Sequence, residues 1–234
     1  MLTPESLRLD GRVALVTGSG RNIGRAVAEA FAAAGAKVVI NGHSDHDAIE
    51  TVARSIRERG GEAVAVLADV AKDAEVAALV GDTVAAFGGL DILVSNVGIR
   101  RYRPFLEITP DEWNEVIGTN LSAAFYLARH ALPHMRAKRK GRIIVVSGFD
   151  GFWGQVTHRA PNLAAKAGLH GLAKAIAREF GPDGITANTV APGAIDTVRD
   201  WTQYVHQPRA QIEAEIPLKR FGHVDAISEQ WKRS

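Results

Sequence analysis

"RVALVTGSGRNIGRA", Arg12 to Ala26, decides the fold. It opens on a short apolar run, Val13 to Val16, that reads as a buried strand. It then passes through Gly18, Gly20 and Gly24 into a helical pattern. Glycines between a strand and a helix let the backbone turn tightly and approach a phosphate, which the positive end of the helix holds.

The same rhythm runs outward from this turn. Apolar runs at 12–17, 37–41, 63–69, 91–96, 142–147 and 184–190 read as strands. They are apolar on both alternations, as parallel strands covered on both faces must be. Helical patterns lie between them at 23–34, 45–59, 73–87, 111–137 and 162–180. In the last, Leu169, Leu172, Ala173, Ile176 and Phe180 recur at helical spacing. Strand–helix alternation builds right-handed crossovers, so the expected fold is α/β, a doubly wound parallel sheet in three α/β/α layers. No linker, repeat or low-complexity stretch divides it, and 1–234 is expected to be one domain.

Composition narrows the function. The chain is 46% hydrophobic and 23% charged with a formal net charge of +2, which gives no reason to expect nucleic acid. The basic run "RAKRKGR", Arg136 to Arg142, reads as a solvated helix end. There is no cysteine, so disulfides and thiol nucleophiles are excluded. The opening "MLTPESLRLDGR" lacks the apolar core of a signal peptide, and no run nears the roughly 18 apolar residues of a membrane span. A cytoplasmic protein without a membrane partner is the expectation. His130 and His134 stand four apart, but Pro133 lies between them and no third ligand is in view, so no metal is expected.

With its strand before and helix after, "TGSGRNIG" (Thr17 to Gly24) resembles the TG-x-x-x-G-x-G turn of the short-chain dehydrogenase/reductase family. Gly18 and Gly24 match, and Asn22 replaces the middle glycine, a residue that enters the left-handed region readily. Further resemblances follow in order. Asp69–Val70 resembles the family's adenine contact, and "SNVG" (Ser95 to Gly98) its NNAG segment. Asn120 is similar to the helix Asn that carries a relay water, Ser147 to the catalytic serine and Lys166 to the catalytic lysine. "APGAIDT" (Ala191 to Thr197) resembles the PG motif that holds the nicotinamide. The resemblance implies an NAD(P)-binding Rossmann-type fold and hydride transfer between an alcohol/ketone pair. It implies cofactor contacts at Gly18, Ser19, Gly20, Arg21, Asn22, Ile23, Gly24, Asn96, Gly98, Lys166, Pro192, Gly193, Ile195 and Thr197.

An acid ending the second strand would bind the ribose hydroxyls of NAD and repel a 2′-phosphate. That strand ends instead in Asn41, Gly42, His43 and Ser44. Arg21 with Ser44, helped by His43, can grip a phosphate through charge-assisted hydrogen bonds, which favours NADP and makes NAD the second choice.

One family residue is missing. Four positions before Lys166 the family carries the tyrosine that protonates the carbonyl, its acidity raised by the lysine. Here that place holds Asn162, an amide that donates a hydrogen bond but no proton. Losing a general acid costs roughly a hundred- to ten-thousand-fold, so weak activity is expected. Catalytic roles are expected of Ser147, Lys166, Asn120 and Asn162. A substitute acid, His158 or His170, is one way out; Lys166 acting through Asn120 and water is another. Tyr102, Tyr126 and Tyr204 lie in other elements. The alternatives are a silent nucleotide-binding scaffold, or a lyase or dehalogenase-like enzyme on the same fold.

The substrate side offers Phe149, Phe152 and Trp153 after the fifth strand and Arg100, Arg101 and Arg103 after the fourth. They suggest an apolar pocket with a basic rim, hence a small carbonyl or alcohol substrate carrying an anionic group. The resemblance fades after "IPLKRFGHVDAIS", so the seventh strand is expected to be absent, and with it goes assurance about the homodimer or homotetramer the family implies.

Overall fold

The computed structural model describes residues 8–154, 157–198 and 208–226. Its centre is a sheet of six parallel strands in the order β3-β2-β1-β4-β5-β6. These are β1 (Val13–Val16), β2 (Lys37–Gly42), β3 (Glu62–Leu67), β4 (Ile92–Ser95), β5 (Gly141–Val146) and β6 (Ile185–Val190). The helices are α1 (Asn22–Ala33), α2 (His46–Glu58), α3 (Asp73–Phe87), α4 (Pro110–Ile117), α5 (Ala123–Ala137), α6 (Asp150–Trp153), α7 (Ala160–Phe180) and α8 (Arg209–Glu215).

Side chains alternate across a strand, and in the four inner strands, β1, β2, β4 and β5, both alternations are largely buried, whereas β6 at the edge exposes Thr186 and Asn188. Leu15, Val39, Leu93 and Val145 point into one core with Leu79 of α3, Leu127 of α5 and Leu169 of α7. Val16, Val38, Ile40, Val94 and Ile144 point into the other with Phe31 of α1 and Ile56 of α2. Each fully buried large side chain contributes about 1.5–3 kcal/mol. The Val/Ile-rich runs are therefore strands because helices cover both faces, as the sequence implied.

The chain winds outward through α1 and α2 to β3, then returns on the other face through α3 to β4. The order of strands reverses between β1 and β4, and in open sheets of this kind ligands bind past the carboxyl ends of the strands at such a switch point.

One expected element differs. The 111–137 pattern is not a single α-helix: α4 and α5 are joined by a π-helical turn over Gly118–Ser122. A Thr109–Glu112 capping box with Pro110 in the first turn starts α4. The wider turn carries Asn120, which is buried. Such inserts re-aim one side chain without disturbing the apolar stripe around them. Among the described residues no helix is long and apolar enough to cross a membrane.

The cleft at the carboxyl ends of the strands

The glycine-rich turn is shaped by its neighbours. Gly18 adopts φ +60° and Asn22 φ +54°, the left-handed conformation for which asparagine is suited. Asn96, just past β4, donates from Nδ2 to the carbonyls of Thr17 and Gly18 at 3.1 and 3.2 Å. That brace lies directly under α1: a Cβ on Gly24 would stand 2.3 Å from the Gly18 oxygen and 2.7 Å from Asn96 Nδ2. Only glycine lets the helix start so close to the strand. The amino end of α1 has no side-chain cap and no acidic residue in its first turn. Its first amides therefore face the cleft without a competing anion, which fits the pyrophosphate of a dinucleotide.

Two side chains expected at the cofactor are turned inward instead. Ser19 donates to the Val16 carbonyl at 2.7 Å and accepts from the Asn41 amide. Asn41 is 1% exposed and spends its Nδ2 on the carbonyls of Val66 and Ala68. Both fix the turn and offer the cleft only backbone. Val70 is likewise buried. Arg21, His43 and Ser44 are exposed, and His43 lies 3.7 Å from Asp69. Pro192, Gly193, Ile195 and Thr197 run along the segment after β6, where Asp196 and Ile195 are held to Gly222. Asn22 reaches this segment: it donates to the Val198 carbonyl at 3.1 Å and accepts from the Val198 amide at 2.8 Å.

The chemistry-bearing residues converge past β4 and β5. Lys166 Nζ donates to the Val146 carbonyl at 2.8 Å, and a Cβ on Gly98 would lie 3.4 Å from that nitrogen and 3.5 Å from Asn120 Oδ1. Burial around the ammonium, helped by the charge of Arg100 and opposed by Asp150, lowers its pKa to about 8. At neutral pH it keeps its proton but releases it more readily than an exposed lysine. Asn120 grips the loop after β4 from both sides, accepting from the Ile99 amide at 2.8 Å and donating to the Ile99 carbonyl at 2.9 Å.

Asn162 also serves that loop. Its Nδ2 donates to the Ile99 carbonyl and its Oδ1 accepts from the Arg101 amide at 3.3 Å. It is 5% exposed. The amide thus braces backbone and is not a free group aimed into the crevice.

Ser147 Oγ lies 3.0 Å from the Lys166 carbonyl and 2.9 Å from His170 Nε2. His170 Nδ1 is 2.9 Å from Thr189 Oγ1 on β6, and the Phe152 ring covers the imidazole at 4.1 Å between centroids. Burial, with the charges of Lys174 and Lys166, lowers the His170 pKa, so the ring is neutral at pH 7. His158, by contrast, sits in an exposed turn at φ +61°. The ring of Tyr102 lies against the Arg159 guanidinium, Tyr126 packs on Phe125, and Tyr204 is outside the described residues.

The basic rim needs correcting. Arg101 forms a bidentate pair with Glu115 at 3.0 and 2.7 Å, and Arg103 pairs with Glu112 at 2.7 Å. Both carboxylates come from α4, so most of the loop's positive charge is neutralised locally. Arg100 stays exposed, as do Phe149, Phe152 and Trp153, which leaves the outer cleft more apolar than cationic. Sequence reasoning missed Thr189 and the Asp150–Arg159 pair, 2.9 Å apart and largely buried beside α7. No local pattern marks either. His130 pairs with Asp73, and no metal-ligand cluster is found among the described residues.

Known proteins share this arrangement. The sequence profile of the short chain dehydrogenase family matches residues 12–207. The 3-oxoacyl-[acyl-carrier-protein] reductase of Salmonella typhimurium is 39% identical over 224 residues, covering 95% of this chain and 88% of its own. That of Staphylococcus epidermidis is 40% identical over 210 residues, covering 89% and 85%. A protein of Sinorhizobium meliloti assigned as a short-chain alcohol dehydrogenase superposes with a TM-score of 0.91 at 31% identity, over 97% of this chain and 89% of that one. One of Beutenbergia cavernae, assigned as an NAD(P) dependent gluconate 5-dehydrogenase, superposes with a TM-score of 0.89 at 34% identity, over 97% and 90%. That structure holds NADP at low occupancy.

Proposed function

The chain belongs to the short-chain dehydrogenase family, and from that premise we propose that it is an NADP-dependent oxidoreductase reducing a small carbonyl compound without the usual phenolic acid. The observation that carries this reading is the meeting of Lys166 Nζ with Gly98 and Asn120 past the end of β4, together with the uncapped amino end of α1 past β1. None of the compared proteins named above is a scaffold, lyase or dehalogenase, so those alternatives gain no support.

The dinucleotide, when bound, supplies the hydride. Gly18 to Gly24 would hold its pyrophosphate by backbone amides, and Asp69 and Val70 would border the adenine. Arg21 and Ser44 would select the 2′-phosphate. Lys166 would hold the ribose, and the segment from Pro192 to Thr197 would hold the nicotinamide. Ser147 presents its hydroxyl to the substrate oxygen. Asn120 keeps Ile99 and Gly98 in place, so that the Lys166 ammonium stays beside them. Asn162 stands where the family's phenol would be and braces the substrate loop. The exposed aromatic rings of Phe149, Phe152 and Trp153 give an apolar wall, which suits an acyl chain. A 3-oxoacyl thioester is the first substrate to try, on the names of the similar reductases.

Fluorescence titration tests the cofactor: NADPH is expected to bind at least about tenfold tighter than NADH, since a charge-assisted contact to the phosphate is worth about 1.5–3 kcal/mol. Equal or tighter NADH binding overturns the assignment. Asn162→Tyr tests the acid. A phenol beside Lys166 is expected to raise kcat by about ten- to a hundredfold, part of the range for a general acid. The lost brace on Ile99 and Arg101 should raise KM at the same time. An unchanged or lower kcat in a folded variant means that position 162 does not face the reacting oxygen.

We also propose that a second copy covers the apolar groove of about 760 Å³ between α5 and α7, lined by Phe125, Leu132, Leu172, Ile176 and Phe180. The family resemblance implies a homodimer or homotetramer, and an exposed, mostly apolar groove between two surface helices is a face that a second copy can cover. Sedimentation should find a dimer or larger that Phe125→Asp weakens; a wild-type monomer at all concentrations rules it out.

A further inference from the structure

Ser147, His170 and Thr189 come from β5's end, α7 and β6, and nothing in their sequence spacing joins them. In the structure they form an unbroken chain of hydroxyl, imidazole and hydroxyl, with both links at 2.9 Å. Ser147 has one hydrogen and three polar neighbours: His170 Nε2, the Lys166 carbonyl and, farther off at 3.4 Å, the Gly148 carbonyl. The Lys166 carbonyl, 3.0 Å away, can only accept, so the resting hydroxyl donates there. His170 must then donate to Ser147 from Nε2, which leaves Nδ1 to accept from Thr189. Asn162 takes no part in this chain, because its amide is committed to Ile99 and Arg101.

We propose that this Thr189–His170–Ser147 chain is the proton relay that replaces the missing phenol, with Ser147 delivering the proton to the substrate oxygen and His170 restoring it. The proposal rests on the oxidoreductase reading above. The balance closes. A bound reduced nicotinamide would supply the hydride for the new C–H bond, and the carbonyl π electrons would pass to oxygen. The Ser147 hydroxyl turns from the Lys166 carbonyl to that oxygen and gives it the Oγ proton. Nε2 of His170 gives its proton to Oγ while Nδ1 takes one from Thr189 Oγ1, and solvent resupplies Thr189. One solvent proton enters and one appears on the alcohol, and the imidazole begins and ends neutral. A neutral ring is what such a shuttle needs, because an imidazolium has no lone pair left to accept with. Burial beneath Phe152 and the nearby ammonium groups of Lys166 and Lys174 hold it neutral. Thr189 and His170 are both only partly buried, so solvent reaches the outer end of the chain. Ser147 is the catalytic residue of the three; His170 and Thr189 act through it and are positioning residues.

Two measurements test this. In the free protein, long-range proton–nitrogen NMR correlations should show His170 as the Nε2–H tautomer, and Thr189→Val should shift Nδ1 by removing its donor. An Nδ1–H tautomer, or spectra indifferent to Thr189→Val, overturns the relay. In turnover, His170→Gln keeps a donor for Ser147 but cannot shuttle. It should lower kcat about ten- to a hundredfold in the wild-type background with NADPH affinity unchanged, and by less than about threefold in the Asn162→Tyr background, where a phenol bypasses the chain. An equal loss in both backgrounds marks a structural role and overturns the proposal. Failure of the wild-type protein to bind NADPH would remove the oxidoreductase reading itself. NADPH binding and turnover with His170→Gln at full rate would remove the relay alone.

Discussion

Gly24→Ala is expected to weaken NADPH binding by about a hundredfold or more. The new methyl carbon would sit 2.3 Å from the Gly18 oxygen and 2.7 Å from Asn96 Nδ2, far inside contact distance. Neither neighbour is a flexible chain end: one is backbone, and the other is held by two hydrogen bonds to Thr17 and Gly18. Either α1 retreats from the strand or the Asn96 brace breaks. Overpacking of this kind costs about 1–3 kcal/mol, and each broken hydrogen bond about 0.5–1.5 kcal/mol more. At about 1.4 kcal/mol per tenfold, the sum reaches two decades when it falls on the bound state. Gly81→Ala is the control, because a Cβ on Gly81 meets nothing within 4 Å. Full NADPH affinity in a correctly folded Gly24→Ala protein would mean that the glycine turn is only a turn.

Ser147→Ala is expected to lower kcat by about a hundred- to a thousandfold and to leave NADPH affinity within about twofold. Ser147 is buried, and its hydroxyl stands between the Lys166 carbonyl and His170 Nε2. Removing it leaves the turn, Lys166 and the Asn120 brace in place, so binding and chemistry should separate. A serine variant that still turns over at the full rate would take Ser147 out of the reaction, and the relay with it.

Much of this was legible in the sequence, for a physical reason. Strands buried on both faces must be apolar on both alternations, so Val13–Val16 and the run Ile92, Leu93 and Val94 show themselves. A turn that lets α1 approach within contact of Gly18 must have glycine at position 24. Side chains that act through distant partners are different. The π turn at Gly118–Ser122 changes hydrogen-bond register without changing apolar spacing, so it looks like ordinary helix. Arg101 and Arg103 look like a cationic rim until α4 brings Glu115 and Glu112 against them. Asn41 and Ser19 stand in a cofactor motif, yet their side chains point into the protein. His170 was one of two histidines with equal standing, and only the packing of α7 on β6 gives it Thr189 and Ser147 as partners. Spacing along one element is visible in a sequence; pairing between elements is not.

The most direct measurement follows the hydride. The wild-type protein is incubated with NADPH deuterated at the transferable ring position and a 3-oxoacyl thioester or a panel of ketones, and the products are weighed by mass spectrometry. The account predicts an alcohol carrying a single deuterium on its carbinol carbon. Tight NADPH binding with no deuterated alcohol from any carbonyl, or an alcohol formed without deuterium, would contradict it.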